Sequence, residues 1–258
     1  MTRNVFIYAP QLKRDVMVDI YDYTRKPAVV LLMNDGQDLR DMDISSLLIN
    51  MDVPVVVIGI HAGPQRIQEY GVAGIPNFQG EGAAADAYTS FITTELLPAL
   101  YEQQPDWKTL PLGFAGWSLG GLSALDIVWN HADLFFFAGA MSGSFWWRDK
   151  PLGNGYSDAA DRIMHRVIRN SDFKPGLQFF FECGTADELS DRNNNGIIDS
   201  IDDTKDLITE LLAKGYEMHT DIAYLEIQGG RHHPLTWKLA LEEMLSLPFL
   251  NPVPGDRK

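Results

Sequence analysis

The residues best suited to chemistry in this chain form Gly116-Trp117-Ser118-Leu119-Gly120, which sets a serine between glycines. Residues 109–115 before it read as a short buried strand, and residues 121–129 after it as an apolar helix. A sharp strand-to-helix turn holds its central residue in strained backbone geometry and lifts the side chain clear of the sheet. Small neighbours are needed there, and Gly116, Gly120 and Gly121 supply them. The new helix also points unpaired N–H groups at whatever Ser118 attacks, that of Leu119 first among them. A serine hydroxyl is a poor nucleophile until a base takes its proton, and the base needs a carboxylate to orient it. In such a sheet both partners are expected downstream on later loops, the acid first and a histidine last.

Two loops meet that order. After residues 177–181 comes Glu182-Cys183-Gly184-Thr185-Ala186-Asp187-Glu188, where Asp187 is the expected acid and Glu182, Glu188 and Asp191 compete with it. After residues 221–227 comes Gln228-Gly229-Gly230-Arg231-His232-His233-Pro234. A histidine directly after a strand-ending Gly-Gly pair stands where the base belongs, and spacing leaves both His232 and His233 open.

The elements that must position these groups alternate along the chain. Residues 5–8 and 16–23 read as two opening strands, and the apolar runs 28–33 and 54–60 as strands buried on both faces of a parallel sheet. Residues 84–100 carry apolar side chains at helical spacing. Beyond Ser118 follow a strand over 134–141, a helix over 158–168, a strand over 177–181, a helix over 204–212, a strand over 221–227 and a closing helix over 235–247. Repeated β–α units predict one α/β domain over 1–258, a mostly parallel, doubly wound sheet of about eight strands flanked by helices.

Taken together, several segments resemble the putative esterase family of α/β-hydrolases, which includes esterase D, enterochelin-type siderophore esterases, feruloyl and acetylxylan esterases and mycolyltransferases. They are Met33-Asn34-Asp35-Gly36-Gln37-Asp38-Leu39, Gly59-Ile60-His61 with Arg66-Ile67-Gln68-Glu69-Tyr70, the Ser118 pentapeptide with Gly121, Ser142-Gly143-Ser144-Phe145-Trp146-Trp147, Gly184-Thr185-Ala186-Asp187, and Gly229-Gly230-Arg231-His232-His233-Pro234-Leu235-Thr236-Trp237. The resemblance implies a serine carboxylic-ester hydrolase that forms an acyl-enzyme on Ser118, needs no cofactor for catalysis and takes a small-molecule ester. Acyl transfer to an alcohol is the nearby alternative, and a binding protein that has lost catalysis the more distant one. In the family the catalytic histidine commonly precedes a tryptophan by five positions, so Trp237 selects His232. The resemblance also implies a second oxyanion donor at Gly36 or Gln37. Trp117, Phe145 and Trp146 are expected to wall an apolar acyl or aryl pocket.

A second motif begins four residues after Asp187. Asp191, Asn193, Asn195, Asp199 and Asp202 supply side-chain oxygens at positions one, three, five, nine and twelve of a loop with glycine at six. Ile197 adds its carbonyl at seven, completing the pattern of a calcium loop in which hard oxygen donors wrap a hard cation. A bound Ca²⁺ there is expected to stiffen the turn that carries the acid.

Composition narrows the partners. A formal charge of −14 and an isoelectric point near 4.7 argue against nucleic acid and anionic membrane. The single cysteine, Cys183, excludes an intramolecular disulfide framework and reads as a buried, inert thiol. The first residues lack the apolar core of a signal peptide, so a cytoplasmic location is expected unless a signal was removed.

Overall fold

The computed structural model describes residues 1–153 and 155–250. Eight strands form one sheet: β1 (Thr2–Ala9), β2 (Arg14–Tyr21), β3 (Val29–Asn34), β4 (Val55–Ile60), β5 (Leu112–Trp117), β6 (Phe137–Met141), β7 (Gln178–Gly184) and β8 (Ile222–Ile227). Their spatial order is β1-β2-β4-β3-β5-β6-β7-β8. β1 pairs antiparallel with β2, and β2 with β4; every later pairing is parallel. The patterning explains the difference. Every residue of β3, β4, β5 and β6 is buried, as strands covered on both faces must be, whereas the edge strand β1 alternates between solvent and sheet.

Helices cover both faces. One apolar layer gathers Tyr88, Leu122, Ile163 and Leu207 against Phe179 and Phe181. The other gathers Leu47, Trp237, Leu241 and Met244 against Met33, Met141 and Phe180. The strand order reverses between β3 and β5, where the chain leaves β3 towards β4 and later returns to the other side of β3. At such a switch point the loops beyond the carboxyl ends of the strands diverge and open a crevice. Here those loops carry Asp35-Gly36-Gln37 and Ser118-Leu119. No helix among the described residues is long and apolar enough to cross a membrane.

Several element boundaries differ from the sequence expectation. The 134–141 strand begins only at Phe137, because the amides of Leu134 and Phe135 close a turn on the His131 carbonyl. The 158–168 helix is two pieces, Asp158–Asp161 and Ile163–Asn170, with Arg162 extended between them (φ −73°, ψ 117°) and its guanidinium turned to Asp203 and Asp206. The 204–212 helix runs over Asp199–Lys214, favoured by Asp199 and Asp202 in its first turn and stopped by Gly215 at φ 112°. A helix over Ile44–Met51, capped by the Asp43 carboxylate at the Ser46 N–H, adds an element where the sequence pattern assigns none.

Candidate active site

Ser118 sits between β5 and the helix Leu119–Asn130 at φ 54°, ψ −130°. A β-carbon dislikes that conformation, and the surroundings must hold it there. They do so through backbone contact: a Cβ added to Gly116 would come 2.7 Å from the Gly120 carbonyl group, so the turn closes only with glycine. The Ser118 N–H donates to the Met141 carbonyl at 2.9 Å, and the Ser118 carbonyl accepts from Gly121, Leu122 and Ser144.

The loop after β3 is clamped onto this turn. Asn34 donates from Nδ2 to the Gly120 carbonyl at 2.7 Å and accepts at Oδ1 from the buried Tyr88 hydroxyl at 2.5 Å. Asp35, left-handed at φ 57°, takes a hydrogen bond from each of two Arg66 guanidinium nitrogens, both at 2.7 Å. Its N–H donates to the Tyr70 hydroxyl at 3.3 Å, and Arg66 lies 5.0 Å over the Tyr70 ring. Gly36 packs directly on the Gly59 backbone of β4, where no side chain fits. Among the described residues the amides of Leu119, Gly36 and Gln37 have no hydrogen-bond partner, whereas the Asp38 N–H is used by the Asp35 carbonyl. Two loops thus present free donors on the same edge of the sheet as Ser118.

The structure brings Ser118, Asp187 and His232 to one cleft of about 360 Å³, also lined by Ser142, Gly143, Ser144, Trp146, Glu188 and Ser200. His232 Nδ1 lies 3.7 Å from Asp187 Oδ2, the ring 42% exposed and the carboxyl 1%. That separation exceeds a hydrogen bond. His233 turns elsewhere: it caps the helix Pro234–Leu245, its Nδ1 accepting from the Leu235 N–H at 3.1 Å. Trp237 meets the His232 ring edge-on at 5.1 Å and donates from Nε1 to Ser142 Oγ at 2.9 Å.

The aromatic pocket expectation needs correction at two of three positions. Trp146 lines the cleft. Phe145 is wholly buried, edge-on to Phe181 at 5.8 Å. Trp117 is buried as well, stacked on Trp237 at 5.5 Å and donating from Nε1 to Asp38 Oδ2 at 3.0 Å. Alternation explains Trp117: Ser118 leaves the strand upward, so its neighbour points into the layer below. Cys183 is buried against Thr204, and burial pushes its thiol far up, so it stays protonated.

Of the acids that competed with Asp187, Glu188 accepts from the Ser200 N–H at 2.6 Å, and Glu182 is buried within β7. Asp191 belongs to the loop beyond. There its carboxylate accepts from the amides of Asn195 and Gly196 at 3.1 and 2.9 Å, while Asn193 and Asn195 both donate to Asp202 Oδ2 at 2.9 and 2.8 Å. Asp199 turns away, accepting from the Arg192 N–H at 2.9 Å. Among the described residues no three His, Cys, Asp or Glu side chains converge as a metal cage. The motifs give no role to Asn34, Arg66, Tyr70 and Tyr88; of the four only Asn34, a polar residue closing the apolar run of β3 next to Asp35, carries a local signal.

The chain matches the model of the family described as Putative esterase over residues 9–247. It belongs to that family. Among solved structures, an enterobactin esterase from Shigella flexneri is similar with a TM-score of 0.70 at 20% identity, covering 95% of this chain and 58% of that one. This chain therefore spans less than two thirds of that protein's length. A siderophore hydrolase, EstB, from Aspergillus nidulans is similar with a TM-score of 0.66 at 17% identity, covering 100% and 96% of the two chains. An IroE-like serine hydrolase from Shewanella oneidensis gives 0.65 at 19% identity, covering 94% and 78%. These likenesses are likenesses of fold. No curated protein matches the sequence.

Proposed function

We propose that this family member is a serine carboxylic-ester hydrolase. The observation that carries the reading is Ser118, held at φ 54° on a tight elbow and sharing one cleft with His232 and a buried Asp187. Ser118 Oγ attacks the ester carbonyl while His232 Nε2 takes its proton. Asp187 faces Nδ1, keeps the ring in the right tautomer and stabilises the imidazolium. The carbonyl oxygen becomes negative and is met by the N–H of Leu119 and by that of Gly36 or Gln37. Collapse expels the alcohol, which leaves with the proton from His232. Water then adds to the acyl-enzyme with His232 again as base, releasing the acid and restoring Ser118.

The cleft suits a small-molecule ester, with Trp146 the aromatic side chain that substrate meets. The solved neighbours named for enterobactin, siderophore and ferulic acid hydrolysis make aromatic esters sensible first members of a test panel. The experiment is labelling with a fluorophosphonate, together with hydrolysis of chromogenic esters by wild type and Ser118→Ala. Labelling and turnover are both lost in the variant, and its unchanged turnover would end this reading. Product analysis with added alcohol separates hydrolysis from acyl transfer.

A structural Ca²⁺ on the 191–202 loop is part of the same reading. Asp191 and Asp202 already lie at one locus with Asn193 and Asn195, whose amides must turn their Oδ1 atoms inward to ligate. Ile197 would add its carbonyl, and Asp199 would act only through water while Arg192 holds it.

A further inference from the structure

A second carboxyl lies on β7 close to Asp187, and the reaction above does not use it. Glu182 is inaccessible to solvent, and neither of its oxygens has a hydrogen-bond partner among the described residues. Its placement follows from the strand. Phe179 and Phe181 face one apolar layer, with Cys183 against Thr204, while Phe180 faces the layer that holds Trp237 and Met244. Alternation sends Glu182 the way of Phe180, towards the helix that follows His232. In register it stands between Met141 of β6 and Leu225 of β8, and the Ser142 N–H is spent on its backbone carbonyl at 2.7 Å.

The ionisable groups around it offer no cation in contact. Asp187 acts on it from the turn after β7, Cys183 stands next to it as a neutral thiol, and His232 lies beyond Asp187. The Pro234–Leu245 helix presents Trp237, Leu241 and Met244 to this layer, and β6 presents Met141. Both Asp187 oxygens also lack hydrogen-bond partners, the nearest cation-forming group being His232. Two ionised carboxyls in such a pocket would repel with nothing to pair them, so one keeps its proton. Asp187 faces the imidazole, whereas Glu182 faces no cation, so Glu182 is the one that stays neutral.

We propose that Glu182 is a positioning residue for the Asp187–His232 pair: it serves as a neutral carboxylic acid that leaves Asp187 the single anion facing His232, and its ionisation disengages that pair. The proposal rests on the ester-hydrolase reading above. Burial, and then the charge of Asp187, push the Glu182 carboxyl from 4.5 up to about 8. A folded-state value raised this way means stability that is complete below the ordinary carboxylate range and is lost as pH rises through about 8. Above that pH the folded chain must hold both anions, and their repulsion acts on Asp187, which lines the cleft.

The test compares wild type with Glu182→Gln, which keeps the shape and cannot ionise, from pH 5 to pH 9. Melting temperature is followed alongside kcat/KM on a chromogenic ester. The difference in melting temperature, variant minus wild type, should widen from pH 5 to about pH 8 and level off beyond it. Wild-type kcat/KM should fall about tenfold per pH unit above its alkaline step, and the Gln variant should lack that limb. Parallel melting curves or an identical alkaline limb in both proteins would overturn the proposal. If the Gln variant does not fold, Glu182→Met, also neutral, takes its place; a folded Met variant with the wild-type limb overturns it equally. Turnover surviving in Ser118→Ala would instead defeat the ester-hydrolase reading and leave the melting comparison to judge Glu182 separately.

Discussion

The two halves of the candidate site are built differently. On the nucleophile side the supporting side chains behind the free amides are paired: Asn34 ties the β3 loop to the elbow, Tyr88 and Tyr70 hold Asn34 and Asp35, and Arg66 grips Asp35 twice. On the acid–base side Asp187 and Glu182 have unpartnered oxygens, and His232 leans on Trp237 with its ring 42% exposed. Preorganised donors lower a barrier because they need not reorient as charge develops. A histidine that must accept a proton, deliver it and accept another gains from some freedom. In the proposed reaction, rigidity lies where charge would develop and latitude where protons would travel. The bridge between the halves is aromatic, from Asp38 through Trp117 and Trp237 to His232.

The largest break comes from the nucleophile. Ser118→Ala should lower kcat by on the order of 10⁴-fold or more and leave the melting temperature near wild type, since Ser118 lines the cleft and no hydrogen bond among the described residues depends on its hydroxyl. Asp187→Asn should cost on the order of 10³ to 10⁴-fold in kcat, because an amide presents the imidazole with the wrong tautomer. If the acid–base side is as loosely held as its contacts indicate, that loss appears without any large change in KM. A wild-type rate for Asp187→Asn would move the acid's role to Glu188 or another competitor.

Arg66→Lys tests the rigid half. Lysine keeps the charge but cannot form the two parallel bonds to Asp35, so the β3 loop and its amides should drift from the oxyanion. We expect kcat to fall by about 10- to 100-fold with KM little altered, the signature of an interaction made mainly in the transition state. The expected effect is smaller than for Asp187→Asn because the loop is also held through Asn34 and Tyr70. A rise in KM at constant kcat would instead mark Arg66 as a substrate-binding residue.

Much of this arrangement is legible in the residues. The elbow is readable because glycine spacing, a buried strand and an apolar helix all demand the same turn, and Gly116 has no alternative at its 2.7 Å approach to Gly120. Continuous apolar runs announce β3 and β4, since strands buried on both faces admit little else. What pattern cannot convey is direction and partner. Trp117 and Phe145 look like pocket residues by type, yet strand alternation and the Phe181 contact bury them. Arg162 breaks a helix because Asp203 and Asp206, about forty residues away, attract its guanidinium, and local propensity holds no trace of that. Glu182 passes for one more competing acid until its burial is known.

The smallest expected effect concerns the 191–202 loop, and it separates two ways of holding the loose half together. Arg192 already joins this loop to Asp158 at 2.8 Å and contacts Asp203, while Glu188 accepts the Ser200 N–H at 2.6 Å, so the segment bordering the cleft has protein tethers of its own. A cation bound by Asp191, Asn193, Asn195, Ile197 and Asp202 would add to them and act at the turn carrying Asp187. Chelation with EDTA should then lower the melting temperature by a few degrees, with a modest loss of kcat that added Ca²⁺ restores. Asp202→Ala should abolish the response to both reagents while leaving the elbow untouched. A melting temperature indifferent to chelator and to Ca²⁺ would assign the loop's order to these protein tethers, and Arg192→Ala would then be the substitution that loosens Asp187 most.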